Sequence, residues 1–310
     1  EGTSMSAGNR QTWMQSGRGV ARARRSANRR RLRRAFLAHR GGRWGLGILI
    51  FFVALALFAP LLFNRATLSV IHATGMPYQH PSFQYPLGTD ESGRSVLARL
   101  AWGTRVSLVV GCAATVISMV LGTAVGILGG HFRGPVDTVL NGLSNWFLVI
   151  PFLPLAVVMA TVLGPSMLNI IIVIGVTSWP GTARIIRAQT LSVEGRPYLE
   201  RAKALGGSDT HQMVKHVLPN VMPLVLANTT LTVAIAILAE TSLSFLGLGN
   251  PLEPSWGGIL DDAFSNGAVS LGAWWYVLSP GVCVVLVVIA FTLIGRALEQ
   301  ILDPRQSVVA

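Results

Sequence analysis

The chain has 310 residues, is 51% hydrophobic and only 12% charged, against roughly 25% charged in an ordinary soluble domain. That deficit argues against a water-soluble enzyme and points to a membrane protein. The net charge of +12 is local: residues 10–43 hold twelve arginines and no acid, and the remainder is close to neutral.

Taken in chain order, Glu1–Ser4 ahead of Met5 read as a cloning remnant, and 1–43 as a basic cytoplasmic segment. The arginine run is too long, and the apolar run behind it too complete, for a cleavable signal. Arginines at 18–34 would attract anionic lipid, worth about 1 kcal/mol per residue near the surface. Nucleic acid is the other partner for such a run, but a span beginning ten residues later favours lipid. A bilayer core about 30 Å thick needs about 20 helical residues. Six runs qualify: Trp44–Phe63, Val106–Gly130, Val139–Leu163, Ser166–Ala183, Val221–Ala239 and Tyr276–Gly295. The fourth is short and ends in SWPG. Pro151 and Pro154 predict a kink in the third. Gly122, Gly126 and Gly130 recur every fourth residue, a spacing that lets helix backbones approach closely.

Lysine and arginine in the flanks set the orientation. With the N-terminus inside, six crossings return the C-terminus, and the short tail 304–310, to the cytoplasm. The loop 184–218 then lies inside with Arg184, Arg187, Arg196, Arg201, Lys203 and Lys215. The loop 240–275 lies outside and has no Lys or Arg. The first outer loop, 64–105, has four arginines, three of them near the second span and read as lying on a short interfacial helix. The domain reading is therefore 44–63 as a first span, 64–105 as an outer loop, and 106–303 as a five-helix core. Trp256, Trp274, Trp275 and Tyr276 fit an outer aromatic belt. Cys112 and Cys283 offer no disulfide or metal spacing and read as buried, inert thiols.

Residues 198–220, YLERAKALGGSDTHQMVKHVLPN, interrupt the apolar pattern. Pro197 suits a first helical turn, and Glu200 follows where a negative charge meets the positive end of the helix dipole. The helix should stop at Gly206-Gly207. Ser208 or Asp209 can cap a second helix, running to Leu218 and stopped by Pro219. Met213, Val214 and Val217 would share one face of it; Gln212, Lys215 and His216 would share another. A DNA-binding helix-turn-helix is disfavoured, because Asp209 leads the second helix and Lys215 is its one strongly basic residue. A passive surface loop of this length rarely carries so much internal order. A rigid corner for docking a soluble partner remains.

This stretch resembles the Glu-Ala-Ala loop of ABC-importer permeases. Glu200, Ala202, Gly206, Leu218 and Pro219 match that pattern. Arg201 stands where its first Ala is usual and His216 where Ile is usual. LGTDESGRSVLARLAWGTRVSL (87–108) and AETSLSFLGLGNPLEPSWGGIL (239–260) are similar to segments of dipeptide/oligopeptide/nickel permeases of the C-subunit type, with Ser95 in place of an Asp. The resemblance spans about residues 30–305. It implies an all-α, six-span type I importer permease (MetI-like) in a prokaryotic cell membrane. It also implies a second homologous permease, one or two ATPase subunits holding ATP and Mg, and an extracytoplasmic binding protein. The chain itself would bind no cofactor, metal or nucleic acid. Coupling to the ATPase would fall to Glu200, Arg201, Ala202, Gly206, Ser208, Asp209, Leu218 and Pro219.

Three further groups of residues are singled out. Asp90, Glu91 and Arg94 are either a salt-bridged cap on the second span or a contact for the binding protein. Glu240 closes an uncharged span, and an ionisable group at membrane depth is a functional candidate. It is read as a path or outer-gate residue, or as a helix end at the interface. Ser244 and Phe245 belong to a segment that the resemblance places near the outer gate. Asn228 and Thr229 either face a route or bond within the bundle. No P-loop, HExxH or GxSxG occurs, and His211 and His216, five apart, do not share an α-helix face. The reading is thus a peptide-importing permease. The alternatives are nickel, haem-like or other cargo in the same superfamily, including efflux, or a carrier or channel that works without an ATPase.

Overall fold

The computed structural model describes residues 34–302; the arginines at 18–33, the remnant 1–4 and the tail 304–310 lie outside the described residues. The principal helices are α1 (Arg40–Leu62), α2 (Val96–Phe132), α3 (Gly134–Val149), α4 (Phe152–Leu163) and α5 (Met167–Glu194). They continue with α6 (Pro197–Ala204), α7 (Asp209–Gln212), α8 (Leu218–Leu243), α9 (Trp256–Ser265) and α10 (Trp274–Leu302). Five of the helical segments are long and apolar enough to cross a membrane, and α3 with α4 forms a sixth, bent by 91°.

The expected kink in the third span is a right-angle break. Pro151 disfavours the helical conformation for the residue before it, and Ile150 accordingly sits at φ −79°, ψ 125°. The bent pair still traverses the bundle. Asp137, in the first turn of α3, pairs with Arg187 near the C-terminal end of α5. At the other end, Asn169 near the start of α5 donates to the Leu163 carbonyl at 2.7 Å. The fourth span is not short: α5 runs 28 residues straight through Pro180. The three arginines near the second span do not share a separate short helix either: Arg94 lies in the turn before α2. Arg99 and Arg105 lie on α2 itself, whose 37 residues make it about 55 Å long at about 1.5 Å per residue, well beyond the bilayer core.

The bundle is built on α2 against α5. A Cβ added at Gly122 would lie 2.8 Å from the Trp179 carbonyl oxygen, and one at Gly126 2.7 Å from that of Ala183. At Gly130 it would meet Thr190 Cβ at 2.7 Å. The glycine row is therefore the surface on which α5 lies. α1 is the outlier: Phe52 and Ala59 are buried while Ile50, Phe51, Leu57, Phe58 and Leu61 are exposed, leaving most of its circumference for lipid.

Two expectations change here. Trp256, Trp275 and Tyr276 are fully or almost fully buried and form the outer core with Phe52, Val96 and Leu100; Trp274 alone of that set is exposed. Their sequence neighbourhood fits a belt, but Trp256 packs on α2, Trp275 lies under the loop at Thr89 and His80, and Tyr276 is bonded to Arg99 and Glu91. The thiols are not both buried: Cys112 is exposed and Cys283 half-buried, on the outer faces of their helices.

Gly126→Val should weaken the α2–α5 contact by about 1–3 kcal/mol, the usual cost of overpacking. Gly47→Ala should change nothing, since an added Cβ there meets nothing within 4 Å. Thermal melting of the two variants in detergent checks the contrast.

Candidate functional site

The corner at 197–217 forms from local chain chemistry. Pro197 opens α6, Glu200 lies in its first turn, and Arg201 and Lys203 in its last, the order that the helix dipole favours. The end of α6 is a Schellman motif: Gly207 N–H donates to the Ala202 carbonyl and Gly206 N–H to that of Lys203, both at 3.0 Å. Gly206 takes φ +81°, and a Cβ there would meet nothing within 4 Å. The backbone angle, not space, demands glycine. Ser208 caps α7, its hydroxyl accepting from His211 N–H at 3.4 Å, and Asp209 is the first residue of that helix.

Pro219 does not stop the second helix. The turn Met213–Val217 is a π-helix, and α8 continues from Leu218 with Pro219 in its first turn. A widened turn just before a proline accommodates the ring and the missing N–H. Corner and span are thus one helical run, Asp209–Leu248. The same turn brings the His211 and His216 rings to 5.7 Å, because residues five apart meet across a π turn. Gln212 is buried, not on an exposed face with Lys215; its amide donates to the Gly207 carbonyl at 2.6 Å and braces the corner from below.

Leu199 is completely buried and roots the corner among Met119, Ile186, Val217 and Val221. Glu200, Arg201 and Asp209 remain exposed. So does Leu205, 87% exposed at the tip. Leu205 was not picked out from the sequence; its signal is an apolar residue directly before the glycine pair. Below the corner lies a polar cluster. His131 Nδ1 is 2.6 Å from Glu194 Oε1, and its Nε2 is 3.3 Å from Asp209 Oδ1. Lys203 Nζ donates to Glu194 Oε2 at 3.0 Å.

At the opposite end of the bundle, Asp90 is fully buried. It accepts from the backbone N–H of Ser92 at 2.9 Å and of Arg94 at 2.8 Å, from Arg94 Nε at 2.6 Å and from Arg99 Nη1 at 3.0 Å. Arg94 also reaches Glu91 at 2.7 Å. Arg99, an inconspicuous residue in the sequence, ties this turn to two distant elements. It pairs with Asp262 on α9 and donates to Tyr276 Oη on α10 at 2.7 Å. Tyr276 Oη in turn donates to Glu91 at 2.7 Å. In the adjoining loop, burial and the nearby Glu91 and Asp90 carboxylates push the Tyr78 phenol above its ordinary range. It remains a donor, bonded to the Asn266 carbonyl at 2.8 Å.

Glu240, in the last turn of α8, is 1% exposed and enclosed by the bundle. It accepts from Ser107 Oγ at 2.9 Å and Ser244 Oγ at 2.8 Å, and Ser107 Oγ accepts from Trp256 N–H at 3.3 Å. The junction joins α2, α8 and the start of α9. Beside it, an outward cavity of about 330 Å³ is lined by Arg94, Ser244, Glu253 and Asp261 among others. Phe245 is partly exposed and stacks edge-on with Phe264. Deeper in the bundle, Asn228 donates to Thr182 Oγ1 at 3.1 Å, and Thr229 Oγ1 donates to the Val225 carbonyl at 2.7 Å. Both serve contacts inside this chain.

Residues 122–308 match the family described as binding-protein-dependent transport system inner membrane components. The chain belongs to that family. Residues 29–81 match the N-terminal transmembrane domain of oligopeptide transport permease C. A putative peptide transport system permease of Brucella abortus is 35% identical over 273 residues, 88% of this chain and 90% of the relative. The dipeptide transport system permease DppC of Bacillus subtilis is 33% identical over 263 residues, 84% and 81% of the two chains. The oligopeptide transport system permease OppC of Haemophilus influenzae is 38% identical over 220 residues, 70% of each. As an inner membrane component, this permease is the transport subunit of its system and not the ATPase.

Removing one partner of a buried ion pair costs about 3–5 kcal/mol, against about 0–1 kcal/mol for an exposed pair. Arg99→Met should therefore destabilise the permease strongly, since it removes the bonds of Arg99 to Asp90, Tyr276 and Asp262 together and leaves Asp90 with Arg94 as its one cation. Arg65→Ala should be nearly silent, because Arg65 and Glu253 pair with side chains 66% and 36% exposed. Unfolding midpoints of the two variants measured side by side test the ranking.

Proposed function

We propose that this chain conducts peptides into the cell as one half of the translocation pathway of an ABC importer. A second homologous permease would supply the other half. The observation that carries the reading is the corner at Gly206: an ordered turn, fixed by its own hydrogen bonds and rooted by Leu199, that presents Glu200, Arg201 and exposed Leu205 outward. Such a surface suits the groove of an ATPase subunit. Lodging apolar Leu205 there would remove from water a side chain that this chain leaves uncovered. Because the corner continues into α8 without a break, a push on it is passed to a span directly.

The peptide cargo rests on the named peptide, dipeptide and oligopeptide relatives. The orientation rests on the cations of α5 and α6, which by the positive-inside rule favour a cytoplasmic corner. The outer cavity and the Glu240 junction then face the binding protein. Asp90, being fully buried, acts in that contact by holding Arg94 and Glu91 in place and not by touching the partner. The transport cycle is a shift between inward- and outward-open states, driven by the difference in ATP affinity between them.

The deciding experiment is purification of the tagged chain in mild detergent from its native membrane. An ATPase and a second permease should come with it, and recovery of the chain alone would sink the proposal. Within the assembled complex, Gly206→Val should abolish ATP-driven peptide uptake, because a β-branched residue in the left-handed region costs about 1–2 kcal/mol and the corner relaxes. Glu200→Ala should loosen ATPase docking while leaving membrane insertion intact, read as ATPase recovered per permease.

A further inference from the structure

We propose that His131 is the positioning residue that makes the coupling corner carry α2 as well as the two helices to which it is joined by the chain. The inference rests on the importer reading and deepens it. The corner is continuous with α5 through Gly195–Arg196 and with α8 through the π turn. α2, the helix on which α5 is seated, has no chain connection to it. His131, in the last turn of α2, provides one: its ring lies 2.6 Å from Glu194 at the end of α5 and 3.3 Å from Asp209 at the start of α7. Lys203 of α6 closes the set on the second Glu194 oxygen at 3.0 Å. One imidazole thus sits among the ends of four helices.

The burial pattern separates this from a surface ion pair. The His131 and Glu194 side chains are each 2% exposed, whereas those of Lys203 and Asp209 are 49% and 62% exposed. The rigid half of the link lies under the corner and the outer half at its rim. Apolar contacts between α2 and the corner, such as Ile127 and Met119 with Leu199 and Val217, exclude water but are non-directional. Hydrogen bonds to carboxylates fix a register. Both ring nitrogens of His131 face a carboxylate oxygen, so the ring is held on two sides. The close seating at Gly122, Gly126 and Gly130 then makes α2 and α5 move as one body with the corner.

The test uses the complete importer in proteoliposomes, with its partner permease, ATPases and binding protein, and a labelled tripeptide as probe. His131→Gln keeps a donor on one side only. Glu194→Gln turns an amide donor toward either Lys203 or His131. Both should leave basal ATP hydrolysis unchanged and lower tripeptide taken up per ATP hydrolysed by about fivefold or more, the lower end of a typical coupling energy. The double variant should be no worse than the poorer single, since both break one linkage. A nitroxide pair at exposed Phe132 and Thr210 should hold one separation through the ATP cycle in the wild type and two in His131→Gln. Uptake and hydrolysis falling in proportion, with an unchanged ratio, would overturn the proposal and leave His131 a folding residue. If His131→Gln does not assemble, Lys203→Met at the exposed rim decides on the same ratio, a fall supporting the link and no change overturning it. Absence of ATP-driven uptake in the wild type itself would overturn the importer reading, and this inference with it.

Discussion

The structure depends on the direct approach of two helix backbones, α2 and α5, along Gly122, Gly126 and Gly130. In lipid there is no hydrophobic gain from burying one apolar helix against another, so close packing and buried polar contacts must hold the bundle. Any side chain at those three positions would collide with backbone or with a β-branched neighbour. The two helices therefore form a spine, and the other elements are placed by what they reach on it. Asn228 of α8 meets Thr182 in the middle of α5, and α9 lies over the outer end of α2 through Trp256.

Each end of that spine is closed by a buried charge cluster. At one end, Arg99 gathers Asp90, Asp262 and Tyr276 from three separated stretches of chain. At the other, His131 gathers Glu194 and Asp209. Such groups are costly to bury, and intact pairs add little net stability over an apolar alternative. What they add is direction. A ring or guanidinium bonded on two sides fixes the rotation of its helix, which apolar contacts leave loose. This suits a membrane component of a transport system, whose parts must move as bodies between two arrangements without slipping past one another.

The corner and the spine meet in the middle of this logic. The Schellman turn at Gly206-Gly207 keeps the corner stiff, Leu199 and Gln212 hold it down, and the π turn at Met213–Val217 lets it run through Pro219 into α8. A helix that stopped at Pro219 would have left a joint between the corner and the span. The widened turn removes that joint while keeping the proline.

Much of this was legible in the sequence because the controlling forces were local. Apolar length fixed the crossings, the arginine and lysine distribution their expected orientation, and Pro197, Glu200, Gly206 and Ser208 wrote out the corner through capping and left-handed geometry that act within a few residues. The glycine row gave the packing face for the same reason. The sequence misled where the outcome depended on a partner far along the chain. Trp256, Trp275 and Tyr276 look like belt residues until α2 and the 79–91 loop cover them; Pro219 reads as a stop until a π turn absorbs it. Arg99 and His131 carried no local signal at all. Their roles are set by which helix ends come together, and that is decided by the close seating of α2 on α5, a contact between residues some sixty positions apart that only the tertiary structure creates.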